Sequence, residues 1–211
     1  MFRDNKAAVF GLAVSGGLVA SGSEDGAVRL WSTATHARAA VHWGHAATVM
    51  SVALSETCVL STSEDATAMA WPLFDGTRLA VMRHPPHGPV SCVSTHGRLA
   101  VTSQAQSVIF WSLDTFKPAS ARIVVHDGAT YSVHLRDKTL VTGSWGPGWG
   151  PQDPCTKVWQ VTETAALTTI QCTGVLRGHG SKDVVGAASS ADGFVVTVGE
   201  LDRLIVWKST V

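Results

Sequence analysis

Short runs of apolar and small residues recur along the chain and are separated by Gly, Pro, Asp and Ser. In the second repeat these runs predict strands over Val49–Ser55, Cys58–Ser63, Thr67–Leu73 and Thr77–Arg83. The runs are too short for amphipathic helices, and their turn-forming boundaries favour β-strands. The other repeats follow the same order of strand a, hairpin, strand b, tight turn, strand c, loop and strand d. The pattern therefore predicts an all-β chain built from repeated units.

Tryptophan closes the third strand of each repeat, at Trp31, Trp71, Trp111, Trp159 and Trp207. The separations of 40, 40, 48 and 48 residues are close to the length of a four-stranded propeller blade. Strands this short bury their apolar sides by stacking blade on blade around an axis. We therefore predict one β-propeller domain over residues 1–211, with five blades over approximately residues 1–43, 44–83, 84–126, 127–177 and 178–211.

The fifth repeat is expected to lack strand d, because the chain reaches Val211 soon after Trp207. When Val9 is aligned with Val49, only Met1–Arg3 remain to complete that blade, whereas typical strands have about five or six residues. We therefore expect the blades to form part of a larger or open ring rather than a closed ring of five. The first and last blades of an open ring expose apolar faces and edges, which favour self-association.

Several short motifs stand at equivalent places in the repeats. Gly44-His45 and Gly178-His179 open the second and fifth repeats, while Ser23-Glu24-Asp25 and Ser63-Glu64-Asp65 lie in the tight turns between strands b and c. With the tryptophans, these motifs resemble the WD-repeat β-propeller family over almost the whole chain, although none of the five tryptophans is followed by the Asp of the family's name. The resemblance implies a WD40-type propeller that binds other proteins and needs no cofactor.

In that family, a hydrogen-bonded tetrad of side chains ties each blade together. The resemblance implies such a tetrad in the second repeat, formed by His45, Ser61, Asp65 and Trp71. Ser61 and Ser63 share one face of strand b because the side-chain period of a strand is two, so the sequence alone does not choose between them.

The fifth repeat places His179, Thr197 and Trp207 at three of the same positions. Ser, His and Asp are also the residue types of a hydrolytic triad. A nucleophilic serine needs an accessible hydroxyl and an oxyanion site, neither of which the repeat pattern supplies. The structural interpretation is therefore favoured, and no catalytic residue is predicted.

Charge and cysteine spacing exclude several classes of function. Sixteen basic residues balance sixteen acidic ones, and the basic residues do not cluster. Nucleic acid and anionic membranes are bound through basic surfaces, so neither is an expected partner. The four cysteines lack C-x-x-C spacing and the nine histidines lack metal-ligand spacing. Structural thiols are therefore favoured over a disulfide, and no metal is expected.

The N-terminal segment allows two interpretations. Arg3 and Lys6, followed by an apolar run, resemble a secretory signal peptide. The same run aligns with the second repeat, with Val9–Ser15 matching Val49–Ser55. We therefore favour a propeller strand in a cytoplasmic protein, with a nuclear location left open. No apolar run reaches the ~18 residues that a membrane helix needs.

One segment departs from the repeat, because a stretch of Trp, Gly and Pro from Trp145 to Pro154 is inserted between strands b and c of the fourth blade. Its glycines and prolines oppose regular structure. Trp145 and Trp149 either fold back on their own loop or contact a partner, since Trp is enriched at interface hot spots. His87 and Lys182, in loops expected on the same rim, complete the hypothetical partner site.

The sequence therefore indicates a non-catalytic scaffold or adaptor that binds proteins or peptides. A narrower alternative is the substrate-recognition module of an F-box/WD-type ubiquitin ligase. An alternative of another class is a propeller enzyme or a carbohydrate-binding lectin. Fold alone does not decide among these functions.

Overall fold

The structure of the protein is a computed structural model. It describes residues 7–85, 88–145, 155–164, 167–177, 184–189, 194–199 and 204–208. Regular structure among these residues consists of nineteen β-strands, which confirms the all-β prediction. The chain divides into two compact units, residues 1–93 and 94–211, and the boundary falls within the ninth strand.

The first unit contains two four-stranded antiparallel sheets, which we call blades 1 and 2. In each sheet the strands lie side by side in chain order. The strands of blade 1 are β1 (Val9–Ser15), β2 (Leu18–Ser23), β3 (Ala27–Ser32) and β4 (Arg38–Trp43), and those of blade 2 are β5 (Val49–Leu54), β6 (Cys58–Ser63), β7 (Thr67–Pro72) and β8 (Ala80–Arg83).

The remaining strands form blades 3, 4 and 5, again in chain order within each sheet. Blades 3 and 4 have four strands, and blade 5 has three among the described residues. The strands are β9 (Cys92–His96), β10 (Leu99–Gln104), β11 (Ser107–Ser112) and β12 (Ile123–Val124) in blade 3, β13 (Ala129–Arg136), β14 (Thr139–Trp145), β15 (Thr156–Glu163) and β16 (Thr168–Leu176) in blade 4, and β17 (Val184–Ser189), β18 (Phe194–Gly199) and β19 (Leu204–Lys208) in blade 5.

The five sheets follow the order of the five predicted repeats, and the last sheet has three strands among the described residues. The expected lack of a fourth strand in that blade stays a prediction. The single domain over residues 1–211 and the open or larger ring stay predictions. The predicted start of the outer strand of blade 2 was wrong, because β8 begins at Ala80 rather than Thr77. The Asp75 side chain accepts a hydrogen bond from the Thr77 backbone N–H at 2.9 Å, and this Asp-capped turn occupies the residues assigned to the strand.

The core of the first unit lies between its two sheets. Leu18, Val28 and Leu30 of blade 1 pack with Val52 and Trp71 of blade 2 in one buried cluster. Full burial of an aliphatic side chain of this size stabilises the fold by about 1.5–3 kcal/mol relative to exposure. This stacking is how strands of about six residues obtain a core that no single sheet could provide.

Two glycines let the sheets of blades 1 and 2 approach closely. A methyl group on Gly11 would lie 2.9 Å from the Cα of Ser51, and one on Gly22 would lie 2.5 Å from a Val49 methyl carbon. Both distances are shorter than ordinary carbon contacts. The absence of side chains at these two positions therefore sets the spacing between the two sheets.

We predict that Gly11→Ala destabilises the first unit by about 1–3 kcal/mol, because the new methyl group meets a strand backbone that cannot move aside. Urea unfolding of both proteins would measure the change. Gly186→Ala is the matched control, since its methyl group would make an ordinary 3.9 Å contact with Val198. Equal losses in the two variants would show that Gly11 has no special packing role.

Candidate functional site

One interaction recurs in every blade. The indole N–H of the strand-c tryptophan donates to a hydroxyl on the neighbouring strand b, which fixes the ring against its own sheet. The five hydrogen bonds are Trp31 to Ser21 (3.4 Å), Trp71 to Ser61 (2.9 Å), Trp111 to Thr102 (2.6 Å), Trp159 to Thr142 (2.9 Å) and Trp207 to Thr197 (2.9 Å).

In blade 2 the hydrogen bonds continue beyond the tryptophan. Ser61 Oγ lies 2.7 Å from His45 Nε2, and His45 Nδ1 lies 2.8 Å from Asp65 Oδ2. Asp65 also accepts the backbone N–H of Ala46 at 2.9 Å. The structure thus brings His45, Ser61, Asp65 and Trp71 into one chain of hydrogen bonds, which ties β6, β7 and the turn between them to the loop that enters the blade.

The direction of each hydrogen bond follows from the chemistry of the groups. An ionised carboxylate only accepts, so His45 Nδ1 carries the proton and donates to Asp65. His45 Nε2 then accepts the Ser61 hydroxyl, and that hydroxyl oxygen accepts the Trp71 N–H. Each of these links has one donor and one acceptor.

The pKa values fit this arrangement. Burial lowers the pKa of His45, although the hydrogen bond to Asp65 opposes the effect. Burial alone would raise the pKa of Asp65, but hydrogen bonds from Thr67, the Ala46 N–H and His45 lower it overall. A neutral imidazole therefore faces an ionised carboxylate at neutral pH.

The structure also distinguishes the two serines of strand b in blade 2. Ser61 carries the link between Trp71 and His45. The Ser63 hydroxyl instead donates to the Ala47 carbonyl at 3.2 Å and accepts the Asp65 backbone N–H at 3.1 Å. Ser63 therefore shapes the turn that presents Asp65.

The geometry of Ser61, His45 and Asp65 matches the order of a hydrolytic triad, but the site is closed. Ser61 is fully buried, and its oxygen already accepts the Trp71 N–H. The nearby Gly44 leaves no room either, since a methyl group there would lie 2.8 Å from the Trp71 ring. A substrate carbonyl cannot reach a hydroxyl held in this way, so the arrangement supports packing and not acyl transfer.

Blade 4 holds a related cluster that the sequence analysis missed. His126 Nε2 lies 2.8 Å from Thr142 Oγ1, which also accepts the Trp159 N–H. Cys155 Sγ lies 3.9 Å from His126 Nδ1, where blade 2 has a carboxylate. Each histidine precedes its hydroxyl partner by 16 residues. A search of the sequence for a histidine 16 residues before a Ser or Thr of strand b could have identified the cluster.

The cluster of blade 4 lacks the carboxylate that stabilises a charged imidazole. Burial and the nearby Lys157 ammonium lower the pKa of His126 to about 4. Burial likewise raises the pKa of the Cys155 thiol. Both groups are therefore neutral at physiological pH, and the thiol is not an activated nucleophile.

The remaining predicted tetrad residues are only partly placed. Thr197 and Trp207 of blade 5 are hydrogen-bonded to each other, while His179 lies outside the described residues. In blade 1, Asp25 pairs with Arg29 through two contacts of 2.6 and 3.0 Å. The arginine replaces the histidine as the partner of the turn carboxylate.

The hypothetical partner site cannot be assembled from the described residues. Trp149, His87 and Lys182 lie outside them, and Trp145 is placed only as the last residue of β14. Among the described residues, several large apolar side chains are exposed. They are Leu12 and Val14 on β1 and Phe194, Leu204 and Val206 on blade 5.

Trp43 is an exposed aromatic residue that the sequence analysis also missed. The burial of the side chains in β4 is the reverse of what hydropathy predicts. His42 is fully buried, whereas Trp43 is 61% exposed. The His42 ring stacks on Trp71 with centroids 5.4 Å apart. The Arg29 guanidinium lies 5.5 Å from the centre of the Trp43 ring, which fixes the indole by a cation–π contact.

The rest of the described chain adds no cluster of metal-binding side chains. No group of three or more His, Cys, Asp or Glu residues within it is placed to bind a metal ion. Its four cysteines are free thiols, with Cys58 and Cys155 buried. No helix in this part of the chain is long and apolar enough to span a membrane.

Comparison with known proteins supports the WD-repeat interpretation. The family model "WD domain, G-beta repeat" matches residues 2–32. The Periodic tryptophan protein 2 homolog of Caenorhabditis elegans is 25% identical over 159 residues, which is 72% of this chain and 17% of that protein. The chain thus spans 17% of the length of this relative.

Solved structures give the same fold. A chain from the crystal structure of the Mitotic Checkpoint Complex superposes with a TM-score of 0.77 at 17% identity, covering 94% of this chain and 60% of the other. The computationally designed Ika4 protein superposes with a TM-score of 0.65 at 22% identity, covering 76% of this chain and 95% of the design. Residues 2–32 therefore match a WD40 repeat, and the described chain shares the fold of these solved structures, with strands in antiparallel blades of the propeller type.

We predict that His45→Ala destabilises the first unit by about 1–3 kcal/mol, because it leaves the buried Ser61 hydroxyl without the acceptor of its proton and removes the imidazole donor to Asp65. Chemical unfolding would measure the loss. His96→Ala is the control, since His96 is an exposed partner of Asp137 and exposed ion pairs contribute at most about 1 kcal/mol. Equal stability of the His45 variant and wild type would contradict the tetrad.

We also predict that acid destabilises blade 4 through His126. The folded pKa of about 4 lies below the ~6.5 of a free histidine, so the unfolded chain binds more protons between these values. Stability should fall as the pH is lowered through this window, by up to about 3 kcal/mol for this site, and this loss should level off below it.

Hydrogen exchange in residues 129–176 between pH 4 and 7 measures this effect. His126→Gln removes the titrating group, so its stability should depend less steeply on pH than that of wild type. Identical slopes would show that His126 does not titrate as its burial predicts.

Proposed function

We propose that this chain is a non-catalytic protein-interaction module built on WD repeats. The observation that carries the proposal is Trp43, a large exposed indole that its neighbours hold in a fixed position. The closed tetrad supports it, since the Ser-His-Asp arrangement of blade 2 is used for packing. A scaffold needs a rigid frame and exposed side chains that contact partners. The tetrad contributes to the frame, and Trp43 is such an exposed side chain.

The support beneath Trp43 is built from strand c and the b–c turn of its own blade. Arg29 is buried, and its N–H groups bind Asp25 while its guanidinium carbon lies over the indole ring. The hydrogen bond from Arg29 lowers the pKa of Asp25, which keeps the carboxylate ionised. An aromatic residue fixed in this way loses little conformational entropy on binding.

Trp43 ends β4 at the start of the loop that leads into the next blade. In blade 4, Trp145 is the last residue of β14, and Trp149 lies in the sequence between β14 and β15, outside the described residues. We propose that the loops between blades and the loops between strands b and c, including those with His87 and Lys182, contact protein or peptide partners. Tryptophan is the side chain most suited to this use.

Other parts of the functional interpretation stay predictions. They are the cytoplasmic location, the role in an F-box/WD-type ligase, the enzyme and lectin alternatives, and the absence of nucleic-acid and membrane partners. Self-association through open blade faces also stays a prediction, supported by the exposure of Leu12 and Val14 on β1 and of Leu204 and Val206 on β19.

We predict that Trp43→Ala weakens partner binding by about 2 kcal/mol, roughly thirtyfold, as expected for a hot-spot residue, and lowers stability by only about 1 kcal/mol. Partners captured by the wild-type protein would be titrated against wild type, Trp43→Ala and a control variant. Phe74→Ala is the matched control, since Phe74 is similarly exposed at 69% but lies between strands c and d. Equal affinities for wild type and Trp43→Ala would show that Trp43 is not part of the interface.

A second substitution tests the inserted loop. We predict that Trp149→Ala leaves stability within about 0.5 kcal/mol, as for a surface change, and costs about 2 kcal/mol of binding. The same titration and an unfolding curve measure both effects. An unchanged set of partners, or a large loss of stability, would assign Trp149 to packing within its own loop.

A further inference from the structure

His42 lies at the contact between blades 1 and 2. It belongs to β4, the outer strand of blade 1, and its side chain is fully buried. Its imidazole stacks on the Trp71 indole of blade 2, with the ring planes 18° apart and the centroids 5.4 Å apart. The His45 ring meets the edge of the same indole, with centroids 6.1 Å apart. Trp71 is therefore in contact with two imidazoles.

The two imidazoles differ in their hydrogen bonds. Both ring nitrogens of His45 are paired, one with Asp65 and the other with Ser61. Neither Nδ1 nor Nε2 of His42 has a hydrogen-bond partner among the described residues. A neutral imidazole carries one N–H and one acceptor nitrogen, so His42 buries a donor and an acceptor that are both unpaired. Such groups are rare inside proteins, and each requires an explanation.

Packing alone does not explain the histidine. A phenylalanine at this position would also place a ring on Trp71, and it would bury no unpaired polar atom. Histidine differs from phenylalanine because it gains a charge between about pH 5 and 8. The unfavourable burial of His42 therefore points to a role for its protonation.

The charged groups nearest to this contact lie in one turn of blade 2. Asp75 and Arg78 belong to the turn that precedes β8, and this turn lies against blade 1. A methyl group on Gly76 would lie 3.8 Å from the carbonyl oxygen of Val41, and one on Gly44 would lie 3.7 Å from Arg78 Nη1. The turn therefore brings a carboxylate and a guanidinium close to the end of β4.

These surroundings keep the buried imidazole neutral at neutral pH. Burial lowers the pKa of His42 below its usual 6.5, and the attraction of Asp75 for the proton opposes this effect without cancelling it. The neighbouring His45 is held neutral by its own burial, beside Asp65. His42 is thus uncharged while it stacks on Trp71.

We propose that His42 is an acid-sensitive switch in the contact between blades 1 and 2, and that its protonation releases the end of β4 from Trp71. The imidazolium has two N–H donors, and its buried position offers no acceptor for either of them. The exposed carboxylate of Asp75 is an acceptor outside the contact. Among the described strands, β4 ends its sheet and pairs with β3 alone, so its end is free to shift.

Acid weakens this contact. In the released strand His42 has the ordinary histidine pKa of about 6.5, whereas the pKa of the buried ring is lower. The released state therefore binds more protons as the pH falls below about 6.5, and the contact is lost in this range. From pH 7 to 5.5 the opening equilibrium rises by up to about eightfold, because a free histidine gains its proton over this interval.

Hydrogen exchange of the full chain, measured by mass spectrometry of peptides covering residues 38–43, tests the proposal. After correction for the intrinsic rate, exchange of wild type should rise by up to about eightfold from pH 7 to 5.5. His42→Phe keeps a ring on Trp71 but binds no proton, so its corrected exchange should stay constant. His36→Asn removes an exposed histidine of the same blade and is the matched control, which should respond like wild type.

Asp75→Asn tests the switch with His42 in place. The asparagine oxygen still accepts the Thr77 N–H, while the charge that attracts a proton to His42 is lost. The response of β4 to acid should therefore move to lower pH. A wild type without a response, or a response that Asp75→Asn leaves unchanged, would overturn the proposal. A response that His42→Phe retains would also overturn it and assign the effect to His45 and Asp65.

Discussion

The indole N–H to hydroxyl hydrogen bond is the constraint on which each blade depends. It joins strand c to strand b at the same height in every sheet. A buried indole N–H without an acceptor would cost about 1–3 kcal/mol, so the tryptophan and its hydroxyl must occur together. This requirement explains why Ser or Thr always faces the ring although the neighbouring residues vary.

Beyond this shared bond, the blades differ in how they satisfy the surrounding polar groups. Blade 2 adds His45 and Asp65, blade 4 adds His126 with Cys155 in place of the carboxylate, and blade 1 uses an ion pair. The repeats are thus alike in backbone and different in electrostatics. Blade 2 contains an ionised group beside its imidazole, whereas blade 4 is neutral throughout its cluster. The two blades are therefore sensitive to pH through different groups.

Periodicity allowed the strands and their order to be predicted, because tryptophans at fixed spacing leave few alternatives. The tetrad of blade 2 came from the family resemblance and not from the spacing. A strand's period of two left Ser61 and Ser63 equivalent, and only their hydrogen bonds separated them. The cluster around His126 was missed because Cys155 takes the place of the carboxylate and the fourth repeat opens with His126-Asp127 where the second has Gly44-His45. Trp43 was missed because hydropathy places a tryptophan inside and a histidine outside, whereas stacking on Trp71 reverses the order.

Arg29 makes two contacts with one rigid group. Its N–H groups donate to the Asp25 carboxylate, and its guanidinium carbon lies over the Trp43 ring, 5.5 Å from the centroid. Because the guanidinium is planar and rigid, a movement of Arg29 changes both contacts together. The position of the exposed indole is therefore coupled to the b–c turn of blade 1 through a single side chain.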